Sequence, residues 1–352
     1  MKRIFPFWVT LLALTLVGCE KEKPVTPGSN DTNAVAYAYV LNEGLWGANN
    51  ASISIFTQSG ITNDWFAQNN GRGLGDLGQD MIRYGSRLYV VVHSSSTIEC
   101  INPNTGVSSK QISLGNRKPR YIVGHQGKLY ISCYDKTVVR IDTTSLETDG
   151  ICQLSGMQPE QLCVLGNNIY VCNTWQYGTG NNAVYDSTVS VVSLDNFMET
   201  GKITVGLNPN RIKAIDSHRF LVACGGDYSS RPARTLVVDV TDGNQIELPV
   251  AATNFDVCDS VIYMYCTTYD DSWNSTANFY KADISDLAPT QILKEQSAQL
   301  KDAYGINIDP KTKNIYICNS TYGVNSDIVV FSPEGALLGK FEAGIFANKV
   351  VF

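Results

Sequence analysis

From residue 36 onward, one arrangement of hydrophobic and polar positions keeps returning. Its marker is a tyrosine between aliphatic residues at the start of a strand-like run. Copies are Ala38-Tyr39-Val40, Leu88-Tyr89-Val90, Leu129-Tyr130-Ile131, Ile169-Tyr170-Val171, Ile262-Tyr263-Met264 and Ile315-Tyr316-Ile317, with Phe220-Leu221-Val222 as a tyrosine-free version. Successive copies lie 40 to 53 residues apart. A period of roughly 40–50 residues marks propeller blades, so seven copies predict seven blades.

Each copy has the same surroundings. A short apolar strand precedes it, as in Arg120 to Val123 or Arg211 to Ala214, joined by a tight turn such as His125-Gln126-Gly127 or Gly166-Asn167-Asn168. A third strand follows and ends in a turn of the Asn104-Thr105-Gly106 or Asp242-Gly243 kind, a strong hairpin signal. A fourth strand completes the unit, as in Lys110 to Leu114. Four strands, a to d, make one antiparallel blade. No stretch carries a convincing helical period. The first copy begins at its b strand, Ala36 to Leu41, and Ala347 to Phe352 fits the missing a strand. The expected fold is therefore an all-β seven-bladed β-propeller over residues 36–352. Its C-terminal strand closes blade 1 and removes an exposed sheet edge.

The first residues read as an address. Lys2 and Arg3 precede an apolar run, Ile4 to Val17, too short to span a bilayer comfortably and suited to a secretory signal. The run ends in Leu16-Val17-Gly18-Cys19, which resembles a bacterial lipobox. The resemblance implies a signal peptide over residues 1–18, lipidation of Cys19 and attachment to a membrane through that lipid. Residues 19–35 are polar and Pro-containing and read as a flexible tether.

Composition narrows the function. Charged residues are 17% of the 352-residue chain, against about 25% in an ordinary globular domain. The net charge is −6 and no basic run follows residue 3, which excludes a nucleic-acid partner on electrostatic grounds. A surface rich in amides and aromatics suits a large neutral ligand. Enzyme signatures are poor: the chain has three histidines and no HExxH, GxSxG or GxxxxGK[ST] pattern. The expectation is a binding protein, not an enzyme, requiring no cofactor. Nine cysteines besides Cys19 fall mostly inside predicted strands, none in a CxxC arrangement, so they read as small hydrophobes between blades. Cys163 and Cys172, on adjacent strands, are the pair to check for a disulfide.

In a propeller the b–c and d–a connections share one face, here called the top. The b–c connections are long in blades 1, 4, 5, 6 and 7, and long loops on a rigid scaffold tend to carry function. They contain Asn42 and Trp46 in blade 1, Asn173 and Trp175 in blade 4, and Tyr228 in blade 5. Blade 6 adds Tyr269 and Trp273, and blade 7 adds Asn319 and Tyr322. The first d–a connection adds Trp65, Phe66 and Asp76, and Arg120 opens the a strand of blade 3. Aromatic bodies with polar tips and amides suit such a ligand. His93 is in a short b–c connection, where it either hydrogen-bonds neighbouring serines or offers a lone pair to a metal in a bound ligand. His125 and His218 fall on the opposite face.

The repeated Tyr strand, the Pro-containing d–a turns (Lys118-Pro119-Arg120, Gln158-Pro159-Glu160, Asn208-Pro209-Asn210) and the closing strand resemble the YncE-like seven-bladed propellers. With the lipobox, the tether and the tryptophan-bearing top loops, the chain is most similar to the surface lipoproteins that capture vitamin B12 and partner TonB-dependent outer-membrane transporters. That resemblance implies an outer-membrane, cell-surface location and cobalamin or another corrinoid as ligand. Asn42, Asp76, Arg120, Asn173 and Asn319 would bond its carboxamides, and Trp46, Trp175, Tyr228, Tyr269, Trp273 and Tyr322 would cover its ring edges. His93 is a candidate axial ligand to cobalt. A glycan-binding propeller of a nutrient-uptake system is the alternative.

Overall fold

The computed structural model describes residues 35–270, 272 and 274–352. The expected signal segment, Cys19 and nearly all of the tether lie outside them, as does Trp273. Seven four-stranded antiparallel sheets form the seven blades. Strands a are Gly78–Tyr84, Pro119–His125, Pro159–Leu165, Pro209–Ala214, Asn254–Cys258, Ala303–Ile308 and Ala347–Val351. They surround the central channel. Ala347–Val351 pairs with Ala38–Asn42, so blade 1 is closed by the end of the chain.

Strand b of each blade is the most buried because it has a neighbour on either side and a blade against each face. Leu88 to Val92 are all buried, as are Leu129 to Cys133. The apolar core divides into seven clusters, one between each pair of adjacent blades. Cys100 and Cys133 sit between blades 2 and 3, and Cys163, Cys172 and Cys224 between blades 4 and 5. All nine described cysteines are free thiols, Cys163 and Cys172 included.

Side chains also tie blade to blade. Strands a place one residue each at a common level of the channel: Asp80, Tyr121, Gln161, Arg211, Asp256, Asn307 and Lys349. Four of these accept a backbone N–H from the next strand a. Ile122 N donates to Asp80 Oδ2, Ile212 N to Gln161 Oε1, Ile308 N to Asp256 Oδ2 and Val350 N to Asn307 Oδ1, all at 2.8–3.0 Å. Inner strands lack a fifth strand to bond, so these bonds satisfy groups that burial would otherwise penalise.

The first d–a connection departs from expectation. Residues Trp65–Asn70 form a helix of six residues, and Trp65 and Phe66 are buried. Trp65 packs 5.5 Å from Tyr39, and Asn70 Nδ2 donates to Gly106 O in a c–d turn. These aromatics fill the blade 1–blade 2 seam and are not on the top face.

Candidate functional site

A recurring backbone device builds the top face. In blades 1 to 5 the residue just before strand a has positive φ: Phe346, Leu77, Lys118, Gln158 and Asn208. Its carbonyl accepts the N–H of the residue just after strand b. The donors are Glu43 (2.9 Å), His93 (2.8 Å), Tyr134 (3.1 Å), Thr174 (3.4 Å) and Gly225 (2.9 Å). Each b–c loop is thereby pinned at its first residue beside the channel. Three of those residues, Glu43, Tyr134 and Thr174, line a mouth of about 370 Å³ together with Gln79, Arg120, Glu160, Asn210 and Arg211, and with Trp175, Tyr228 and Tyr304.

The mouth is held by a charged network. Arg120 Nε donates to both oxygens of Glu160 (3.1 and 3.2 Å), and its Nη1 donates to Gln79 Oε1. Tyr134 Oη also donates to Glu160, and the Arg120 guanidinium lies 4.7 Å from the Tyr134 ring centre. Such a fork is the strong form of hydrogen bond. On the opposite wall, Tyr304 Oη donates to Glu43 Oε2 at 2.9 Å. Burial raises the Glu43 carboxyl above the usual carboxylate range, opposed by the Tyr304 bond and by Arg120.

Aromatic side chains stand around this mouth. Trp46 is 83% exposed, Tyr228 80%, Tyr322 70% and Tyr269 62%. Trp175 and Tyr177 belong to a small hairpin, Trp175–Tyr177 with Ala183–Tyr185, and meet edge to face at 4.9 Å. Asp227 holds the blade 5 loop by accepting Ser229 N and Arg231 N, and this presents Tyr228. Gly225 lets that loop approach: a Cβ there would lie 3.1–3.3 Å from Asn208, Asn210 and the Tyr228 hydroxyl. From the rim, Tyr322, Phe346 and Tyr304 form a continuous aromatic path inward, with ring centres 5.6 and 4.4 Å apart.

Several sequence-predicted ligands are placed elsewhere. Asn42 and Asn173 are fully buried. Each is the last residue of its strand b and faces into the blade. Asn42 Nδ2 bonds Ser52 and Ser54, and Asn173 Nδ2 bonds Thr188 and Ser190. Asn319, at the same position of blade 7, ties Gln299 O and Asp302 N. These three amides hold blades and loops. Asp76 clamps the blade 1 loop by accepting Gly47 N (3.1 and 3.2 Å) beside the exposed Trp46. Arg120 does line the mouth but spends its donors on Glu160 and Gln79.

His93 is partly buried behind Tyr134, with ring centres 5.3 Å apart, and is absent from the mouth lining. Its Nδ1 is 3.0 Å from the Pro119 carbonyl, which can only accept, so Nδ1 carries the proton. Burial first, then the Arg120 charge, lower its pKa from 6.5 to about 4. Among the described residues no group of three or more His, Cys, Asp or Glu converges to hold a metal ion.

Glu43, Tyr134 and Thr174 were not singled out from sequence as ligand groups; the available signal was their position one beyond the end of strand b.

The chain matches a domain of unknown function, DUF5074, over residues 37–205. That match runs from strand b of blade 1 through strand d of blade 4. No curated protein matches the chain.

Proposed function

We propose that this protein captures cobalamin or a related corrinoid on the top face of the propeller, reversibly and without turnover. The observation that carries the reading is the ring of exposed aromatics around a mouth rich in hydrogen-bonding groups. Exposed aromatic bodies in such number on one face are the usual mark of a binding surface. A corrinoid offers the complementary chemistry: apolar ring edges and a rim of carboxamides, each with a donor and an acceptor. A ligand of that size exceeds a 370 Å³ mouth and would lie across the rim. Trp46, Trp175, Tyr228, Tyr269 and Tyr322 would cover its edges, and Trp273 is the further candidate outside the described residues. Glu43, Asn210 and Tyr304 would bond an amide that enters the mouth.

The cellular setting follows from the lipobox resemblance. Cys19 would carry a lipid that holds the propeller at the outer-membrane surface, and a TonB-dependent transporter would receive the ligand. No cofactor is required for capture.

The test uses protein lacking residues 1–19. It is mixed with cyanocobalamin and passed over a desalting column, and visible absorbance is read in the protein fraction. Stoichiometric colour is expected. A colourless protein fraction would overturn corrinoid capture and leave a neutral glycan, stacked on the same aromatics, as the ligand class.

A further inference from the structure

Below the mouth the channel opens into a second chamber of about 610 Å³, lined by strands a. We propose that this chamber is a binding site for a small oxyanion, a carboxylate or a phosphate, anchored by Arg211. The proposal is independent of the ligand on the top face.

Donor and acceptor bookkeeping points to an anion. The two carboxylates of the chamber are spent. Asp80 accepts Met81 N, Ile122 N and Lys349 Nζ. Asp256 accepts Val257 N, Ile308 N and Lys213 Nζ. The cations are not spent. Lys213 and Lys349 each make one of these bonds with an ammonium that has three donors. Arg211 has five N–H donors and makes one hydrogen bond, to the neutral Tyr121 hydroxyl. It forms no ion pair among the described residues. The acids on the mouth side of it are committed elsewhere, Glu160 to Arg120 and Tyr134, and Glu43 to Tyr304.

Arg211 reaches from blade 5 to Tyr121 on blade 3, and it borders both chambers. Its guanidinium therefore forms part of the chamber's roof. On the wall, His125 adds a buried Nε2 without a partner. Four cationic side chains, Arg83, Arg211, Lys213 and Lys349, thus line the chamber with two acidic ones, and beside their unspent donors stands one unpartnered acceptor, Asn348 Oδ1. A planar guanidinium fork with free N–H groups matches an oxyanion.

The test titrates the folded protein with inorganic phosphate and, separately, succinate, followed by calorimetry at low salt. Saturable binding of at least one is expected, and which one binds identifies the anion. Arg211→Gln is expected to weaken it at least tenfold, Arg211→Lys less, and Arg231→Gln, at an exposed arginine outside both chambers, not at all. If the Arg211 variants fail to fold, phenylglyoxal modification of the wild type reads the same site. The bound anion should protect Arg211 and leave the exposed Arg231 reactive. No saturable binding of either anion, equal affinity in a folded Arg211→Gln, or no protection of Arg211 would overturn the proposal.

Discussion

Replacing His93 by asparagine tests the electrostatics of the top face. His93 Nδ1 is bonded to the Pro119 carbonyl, and Arg120 stands close enough to disfavour a second charge. The unfolded chain binds a proton on this ring near pH 6.5, whereas the folded protein waits until about pH 4. Between those values the unfolded state holds more protons, so stability falls as pH falls. The full displacement corresponds to about 3 kcal/mol at 1.36 kcal/mol per pH unit. About 2 kcal/mol of it is lost between pH 7 and pH 5. An asparagine amide can still donate to Pro119 O but does not titrate. Urea denaturation of both proteins at pH 7, 6 and 5 should therefore show a wild-type stability that drops more steeply, by about 2 kcal/mol. Parallel pH profiles would refute the reasoning, as would an NMR titration of His93 with a midpoint near 6.5. The same variant bears on the ligand: with Tyr134 between His93 and the mouth, the visible spectrum of bound cyanocobalamin should be unchanged.

Other perturbations separate binding from stability. Trp175→Ala and Tyr228→Ala should each weaken cyanocobalamin binding by roughly tenfold, about 1.4 kcal/mol, with little change in melting temperature. Asn173→Ala should do the reverse, costing about 1–2 kcal/mol of stability through its lost bonds to Thr188 and Ser190, with affinity retained. Gly156→Ala should be worse, since its Cβ would lie 2.1 Å from Asn173 Cγ; a drop of about 2 kcal/mol or more in urea denaturation is expected. Glu43→Gln should remove a stability loss. Because burial raises the Glu43 carboxyl, the folded state holds its proton longer, and stability declines as pH rises from the usual carboxylate range through the raised value. The glutamine variant should match the wild type in acid and exceed it at pH 8.

The blades were legible because each repeat writes the same alternation, and a buried strand b tolerates little else. The cysteines were legible as packing residues for the same reason, and eight of the nine, all but Cys266, belong to the apolar clusters between blades. The candidate site was legible only to the level of the loop. Asn42, Asn173 and Asn319 stood out as polar residues ending apolar runs, but a strand alternates its faces with every residue. The amide that ends strand b points into the blade, and the next residue points at the mouth. One position separates Asn42 from Glu43 and Asn173 from Thr174, so the sequence located the loops but not the side that each residue faces. Trp65 and Phe66 misled differently. Their connection folds into a helix against the seam between blades 1 and 2, a tertiary choice with no local periodic signal.

The channel explains why charges sit where composition gave no reason to expect them. A seven-stranded inner wall has no inward partner for its backbone, so Asp80, Gln161, Asp256 and Asn307 are spent on bonds between neighbouring strands a. At three of the seven positions, Tyr121, Arg211 and Lys349, the residue is not a carboxylate or amide and cannot accept in the same way. Lys349 instead pairs with Asp80, and Tyr121 accepts from Arg211. Arg211 ends the chain of partners with most of its donors free. A purely structural wall would be served as well by a glutamine at that position, which could continue the pattern of accepting the neighbouring N–H. The cost of keeping a guanidinium there is desolvation offset only at a distance by Glu160 and Glu43, which make no ion pair with it, and a bound oxyanion would supply the direct partner.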